Sequence, residues 1–275
     1  MAELIDPDRL RAALVTSRAS WTNVEHHASV DSTNARAAQL AAPWQVVVAD
    51  HQSAGRGRLQ RRWESPVGAS LLLSATVPLP PWGVGWVPLL TGLAVLRAVE
   101  ASTGIAAVLK WPNDVLLPAD GLGKVAGILC EVVASPSGPL VVVGVGLNLS
   151  QTREQLPGPA ATSLRLAGTS APDSTAADST VLAASLLDHL AGLYAVLVTG
   201  SRPDEGAAAR AAYREHCATI GQEVRLSRSS LSTATDVAGR AVAVDDEGRL
   251  VIEQAGVRSV WAAGDVVHVR PPDAA

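Results

Sequence analysis

Along the first half of the chain the hydrophobic positions fall into short runs rich in β-branched residues, interrupted by one long apolar stretch. Gln45 to Ala49 and Ser70 to Val77 read as strands, and Gly85 to Thr103, with Pro88 near its first turn, as a long buried helix. Ala107 to Lys110, Val115 to Leu117, Val125 to Val133 and Leu140 to Gly146 read as strands. Turn chemistry at Pro112-Asn113, Asp120-Gly121 and Ser137-Gly138 separates them. They stand too close together for helical crossovers, so the pattern predicts an antiparallel or mixed sheet flanked by helices, an α+β layer.

Ahead of these runs Asp6 and Pro7 open an amphipathic helix toward Ser17, the Asp as cap and the Pro at the first helical position. Asp31-Ser-Thr-Asn34 precedes the Ala-rich stretch Ala35 to Ala42, and reads as a loop that caps a helix. Gln151 to Thr180 reads as loop, with one short strand or turn around Ser163 to Ala167. Val181 to Val198 and Asp204 to Cys217 read as helices. From Glu223 to Arg270 the pattern changes to short alternating runs: Val224 to Leu226, Ala238 to Val244, Leu250 to Glu253, Ser259 to Trp261 and Val266 to Val269. Such spacing predicts a small β-barrel, and with it two domains, residues 1–217 and 218–275.

Composition narrows the function. A chain of 275 residues, 48% hydrophobic, can bury a sizeable core, and its net charge of −4 argues against a general nucleic-acid coat. The N-terminus lacks the basic and apolar regions of a signal peptide, and no uninterrupted apolar run is expected to span a membrane, so a cytoplasmic protein is predicted. Cys130 and Cys217 suggest neither a disulfide framework nor a zinc site, and Cys130 reads as a packed core residue.

The cations are unevenly chosen. Of 22 Lys and Arg residues only Lys110 and Lys124 are lysines, and they lie close together. A compact ammonium on a flexible stem can follow a charge as it develops, which makes both site candidates. Upstream, Arg56, Arg58, Arg61 and Arg62 crowd a loop with no carboxylate between Asp50 and Glu64. Gly55 and Gly57 allow close backbone approach there, and the arginine forks suit a phosphate or carboxylate. The loop is no Walker A motif, because no Gly-Lys-Ser/Thr follows. Its ligand is expected to be small and anionic, and the uncompensated charges predict a loop that orders when the anion arrives.

Five motifs in order resemble the biotin protein ligase family: Asp31-Ser-Thr-Asn, Gln52 with Gly55-Arg-Gly-Arg58, Lys110-Trp-Pro-Asn-Asp114, Lys124-Val-Ala-Gly-Ile and Gly144-Val-Gly-Leu-Asn148. The likeness covers roughly residues 25–270. It implies a catalytic domain of the class II synthetase type with a C-terminal SH3-like β-barrel. It also implies activation of biotin by ATP as biotinyl-5′-AMP, with Mg2+, and transfer to a lysine of a biotin carboxyl carrier domain. By the same resemblance Ser32, Thr33, Asn34, Gln52 and Gly127 line the biotin pocket. Arg56, Gly57 and Arg58 close over the carboxylate and α-phosphate, Lys124 and Arg58 carry the catalysis, and Lys110 is a second phosphate-side cation. Gly55, Asn113, Asn148 and Trp63 fall on the nucleotide side, and Asp114 on the metal.

Plainer readings stand beside these: Ser32 and Thr33 as a helix cap, Asn113-Asp114 as a turn, Trp63 as a loop anchor, Asn148 as a strand end. The resemblance has departures too. Gln60 occupies the place of the loop's usual third glycine. Only 30 residues precede Asp31, so the repressor activity of members with a leading DNA-binding domain is not expected. A lipoate-protein ligase and a non-catalytic biotin sensor are the alternatives.

Overall fold

In a computed structural model the described residues are 4–17, 21–168, 178–198, 206–227 and 236–269. Helix α1 (Pro7–Leu14) begins as its sequence predicts, with the Asp6 carboxylate accepting from the Asp8 and Arg9 amides. Strand β1 (Asn23–His27) follows, then helix α2 (Thr33–Leu40) and strands β2 (Gln45–Ala49) and β3 (Ser70–Pro78). Helix α3 (Val87–Thr103) ends at Gly104 in the left-handed conformation that glycine adopts freely. Four strands come next: β4 (Val108–Lys110), β5 (Asp114–Leu117), β6 (Gly123–Val133) and β7 (Leu140–Asn148). They join in one sheet of order β1-β2-β3-β7-β6-β5-β4, in which only β1 and β2 run parallel.

The two faces of that sheet differ. On β7 the residues Val141, Val143, Val145 and Leu147 belong to the main core, as do Leu71, Leu73, Ala75 and Val77 on β3. Helix α3 and helix α5 (Ser179–Val198) pack together over this face, with α1 beside α5. The opposite face is thinner. There Ala37 of α2 packs on Val47 and Val142, while Ser70, Ser74, Gly144, Gly146 and Asn148 complete the strands with small or polar side chains. The period of two thus leaves a shallow, polar floor beside α2.

Two expectations need correction. The segments Val84–Thr103 and Ser179–Val198 are long and apolar enough to cross a membrane by length and composition, but half or more of the most apolar part of each is buried inside the protein. They are core helices of this fold. Ser163 to Ala167 forms neither strand nor open turn but the single-turn helix α4 (Leu164–Ala167), whose Leu166 amide donates to the Ser163 hydroxyl. Helix α6 (Ala207–His216) matches the predicted helix from Asp204. Positions 204–205, and positions 169–177 of the long loop, lie outside the described residues.

Strands β8 (Glu223–Ser227), β9 (Val237–Val244), β10 (Leu250–Gln254), β11 (Val257–Trp261) and β12 (Asp265–His268) form a second, antiparallel sheet of order β11-β10-β9-β8-β12. It is pinned to the first by buried tryptophans. Trp86 Nε1 donates to the Asp246 carbonyl at 2.8 Å, and Trp111 Nε1 to that of Gly248 at 3.0 Å. This docking carries the turn before β12 to the polar face of the larger sheet.

Candidate active site

A cavity of about 360 Å³ opens over the polar floor. Its walls are the N-terminus of α2, the loop between β2 and β3, strands β6 and β7, and Gly264 and Asp265 from the second sheet.

One end is neutral and closely bonded. Thr33 donates from both its amide and its hydroxyl to Gln52 Oε1, at 2.8 and 3.0 Å, which leaves the Gln52 Nε2 hydrogens for other partners. Asn34 Nδ2 donates to Glu131 at 2.7 Å and to the Leu129 carbonyl at 3.3 Å, and Asn34 Oδ1 accepts from Ser74 at 2.6 Å. This amide lies so close to β7 that a Cβ at Gly144 would stand 2.0 Å from Oδ1. Ser32 caps α2 through the Ala35 amide, so the cap reading holds, and it lines the cavity as well.

The other end is cationic. The arginine loop doubles back on itself, with the Gly57 amide donating to the Arg61 carbonyl at 2.7 Å and the Trp63 amide to that of Gly55 at 2.9 Å. Leu59 and Gln60 turn the corner at φ 55° and 59°, so the position where glycine is usual holds a side chain in left-handed backbone. The charges are not uncompensated, as the loop's own sequence suggests. Arg56 pairs with Glu131 at 3.2 Å, Arg61 with Asp265, and Arg62 with Glu64 at 4.0 Å. Arg58 donates to Asn113 Oδ1 at 3.1 Å. Burial lowers its guanidinium pKa, and the carboxylates of Asp114 and Asp265 oppose that shift.

Between the ends stand Lys124 and Trp63. Lys124 Nζ is 2.6 Å from Asp114 Oδ1 and 5.9 Å from the centre of the Trp63 ring. Asp114 Oδ1 is buried, and its contact with Lys124 leaves it a second lone pair. The indole lies on the paired glycines of β6 and β7. A Cβ at Gly146 would meet it at 2.5 Å and one at Gly127 at 3.0 Å. Asn148 is buried, donating to the Thr162 carbonyl at 2.9 Å and accepting from Gln151 at 2.9 Å.

The structure therefore gathers Ser32, Thr33, Asn34, Gln52, Arg56, Gly57, Arg58, Trp63, Asn113, Asp114, Lys124, Gly127 and Asn148 around one cavity. Gly55 and Lys110 are not in its lining. Gly55 sits at the loop's base, where a Cβ would meet the Trp63 carbonyl at 2.3 Å. Lys110 is on β4, the sheet's edge, near His268 of the second sheet. Burial of the imidazole, and then the Lys110 charge, hold the His268 pKa down at about 4. Ser74, Glu131 and Asp265 were not foreseen, and no local motif marks them. Cys130 packs against the core, and burial pushes its thiol up to about 12, far from a nucleophile's range.

Such a cavity defines a class of site, one for a molecule with an uncharged polar group at one end and an anion at the other. Comparisons with known proteins narrow it. Residues 19–148 match the biotin/lipoate A/B protein ligase family, and residues 219–269 the biotin protein ligase C terminal domain. The chain is 39% identical to the biotin–[acetyl-CoA-carboxylase] ligase of Mycobacterium tuberculosis, over 97% of this chain and 96% of that protein. It is 30% identical to the bifunctional ligase/repressor BirA of Bacillus subtilis, over 86% of this chain and 72% of that one. The structure of the biotin protein ligase from Aquifex aeolicus in complex with biotin and ATP superimposes with a TM-score of 0.73 at 25% identity, covering 91% of this chain and all of that one. This chain belongs to the biotin protein ligase family.

Proposed function

We propose that the protein is a biotin–[acetyl-CoA-carboxylase] ligase, which activates biotin with ATP and transfers it to a lysine of a biotin carboxyl carrier domain. The observation that carries this reading is the joining of two chemistries in one cavity. At the neutral end Asn34 offers an acceptor and Gln52 a donor, the complement of a ureido ring with its N–H groups and carbonyl. At the other end Arg56, Arg58 and Lys124 offer fixed positive charge.

A biotin carboxylate oxygen attacks the α-phosphorus of ATP, the bond to the bridging oxygen breaks, and pyrophosphate leaves with the electron pair. Carboxylate and triphosphate repel each other, so the step needs preorganised cations where charge develops. Lys124 and Arg58 are assigned that work, and Arg56 holds the carboxylate. Lys110, on the far side of Asp114, is assigned to the phosphate tail. Trp63 offers a flat apolar surface to adenine. In the second step the acceptor amine attacks the acyl carbon, AMP leaves, and the amine loses a proton.

Asp114 fits a magnesium ion, since its buried Oδ1 has accepting capacity to spare and such an ion takes most of its ligands from phosphate and water. Among the described residues no group of three or more His, Cys, Asp or Glu side chains gathers, so phosphate would supply most of the coordination. Bound there, the ion would neutralise phosphate charge.

A lipoate ligase fits less well, because a dithiolane offers no donor to the second lone pair of Asn34 Oδ1 and no acceptor to Gln52 Nε2, and each unmade hydrogen bond costs about 1–3 kcal/mol. We place the protein in the cytoplasm, with ATP and the carrier domain, and assign residues 218–275 to a separate SH3-like domain. Incubation with labelled biotin, ATP and a carrier domain, read on a denaturing gel, should give a labelled carrier that disappears when ATP is omitted. No label with both substrates present would refute the proposal.

A further inference from the structure

Glu131 lies on β6 outside every sequence motif and outside the cavity's lining, yet it touches both of the cavity's ends. Its Oε2 accepts from Asn34 Nδ2 at 2.7 Å and from Arg56 Nη2 at 3.2 Å. A carboxylate only accepts, so the side of the Asn34 amide facing it must be the nitrogen. The Leu129 carbonyl, 3.3 Å from the same nitrogen, imposes the same choice. Asn34 Oδ1 is left pointing the other way, over Gly144 on the cavity floor, with Ser74 as its one protein donor among the described residues at 2.6 Å. An amide oxygen has two lone pairs, and the second is free for a ligand.

We propose that Glu131 is a positioning residue for ring recognition. It locks the Asn34 amide with its oxygen toward the cavity, so that the site accepts a hydrogen bond from a ring N–H and discriminates against ligands that lack a donor there. Its second contact ties this orientation to Arg56, the first cation of the loop. A half-turn of the amide would set Oδ1 against two acceptors, Glu131 and the Leu129 carbonyl. Without the carboxylate only the weaker carbonyl contact opposes that turn. The inference rests on the cavity being a biotin site, which wild-type binding in the same experiment checks separately.

The test is a polarity swap read by calorimetric titration with biotin alone and with a non-hydrolysable ATP analogue alone. Asn34→Asp sets two carboxylates face to face and should weaken biotin at least tenfold, the worth of one charge-assisted hydrogen bond. Adding Glu131→Gln restores a donor opposite the carboxylate at position 34, which still presents oxygen to the ring. The double variant should bind biotin at least threefold more tightly than Asn34→Asp, short of wild type because the Leu129 carbonyl and Arg56 still face the exchanged pair. Glu131→Ala should weaken biotin about tenfold and the ATP analogue less than threefold. A double variant no better than Asn34→Asp overturns the proposal, and so does a folded Glu131→Ala protein that binds biotin like wild type. Should Glu131→Ala not fold, the swap decides alone. Failure of the wild type to bind biotin would count against the functional reading instead.

Discussion

At the ring end of the cavity Ser32, Thr33 and Asn34 are at most 4% exposed, and their partners are short, neutral or strand-borne. At the phosphate end the side chains of Arg56, Arg61 and Arg62 are 46%, 65% and 78% exposed and lean on carboxylates borrowed from β6, from the second sheet and from Glu64. The difference follows from what each end must recognise. An uncharged ring gains little from a hydrogen bond unless the protein group is already oriented and dry, because water competes for both partners. A phosphate is attracted at a distance, and exposed ion pairs worth about 0–1 kcal/mol can be exchanged for it at small cost. One end is therefore built before the ligand arrives, and the other is held in place by substitutes for it.

The largest effect is expected where the ends meet. Lys124→Ala removes a cation that faces Asp114 and Trp63 together, and should slow biotin-dependent pyrophosphate release about 10²-fold or more, on the order of 3 kcal/mol. A rate within about threefold of wild type, roughly 0.7 kcal/mol, would make Lys124 structural.

Separate titrations of the two substrates sharpen the contrast. Asn34→Ala and Gln52→Ala should raise the biotin requirement about tenfold and leave the ATP requirement within threefold, since each removes a polar group offered to the ring, worth about 1–3 kcal/mol. Equal weakening of both substrates would break the division between the ends.

Asp265→Asn removes the counter-charge of Arg61 and should speed escape of the adenylate by no more than about fivefold, with the effect shrinking as salt is added. Release measured at low and high ionic strength checks it. A salt-independent change would mean that Asp265 acts through the fold.

Gln60→Gly is expected to help slightly. Left-handed backbone costs a side-chain residue about 1–2 kcal/mol, and the added freedom of glycine takes back about 0.5–1 kcal/mol. Amide hydrogen exchange should show the loop a few-fold better protected, and lower protection would mean that the corner at Leu59 and Gln60 is not strained.

The smallest expectation lies away from both ends. His268 is kept neutral in the folded protein, with a pKa of about 4 against an ordinary 6.5, by burial and by Lys110. The unfolded chain takes up that proton first as pH falls, so this part of the stability is present above pH 6.5 and is lost progressively toward pH 4. Thermal melts of His268→Gln should show a shallower loss over that window, with biotin binding unchanged at neutral pH.

Much of this was legible in the residues. The strands β3 to β7 announce themselves through β-branched runs and turn pairs, and α1 through Asp6 and Pro7. Strand β1 does not, because Asn-Val-Glu-His-His is an edge strand in which Val24 alone is buried. In the site, motif residues converge because each motif sits where a strand or helix ends at the cavity. What could not be read was the pairing across the chain. Ser74, Glu131 and Asp265 stand 40, 97 and 204 residues from Asn34, Asn34 and Arg61, so a count of charges within the loop misses them. The place of Lys110 was not legible for a related reason. It is near Lys124 in sequence, yet β5 separates their strands, and two strand spacings put about 10 Å between them.

Exchange of labelled pyrophosphate into ATP, followed with biotin, with lipoate and with neither acid, tests both ends of the cavity at once. The label enters ATP only if a carboxylate bound at the ring end has reached the α-phosphate held at the other. The account predicts exchange with biotin, exchange at least 10²-fold slower with lipoate, and none without an acid. Equal exchange with lipoate, or no exchange with biotin, would contradict it.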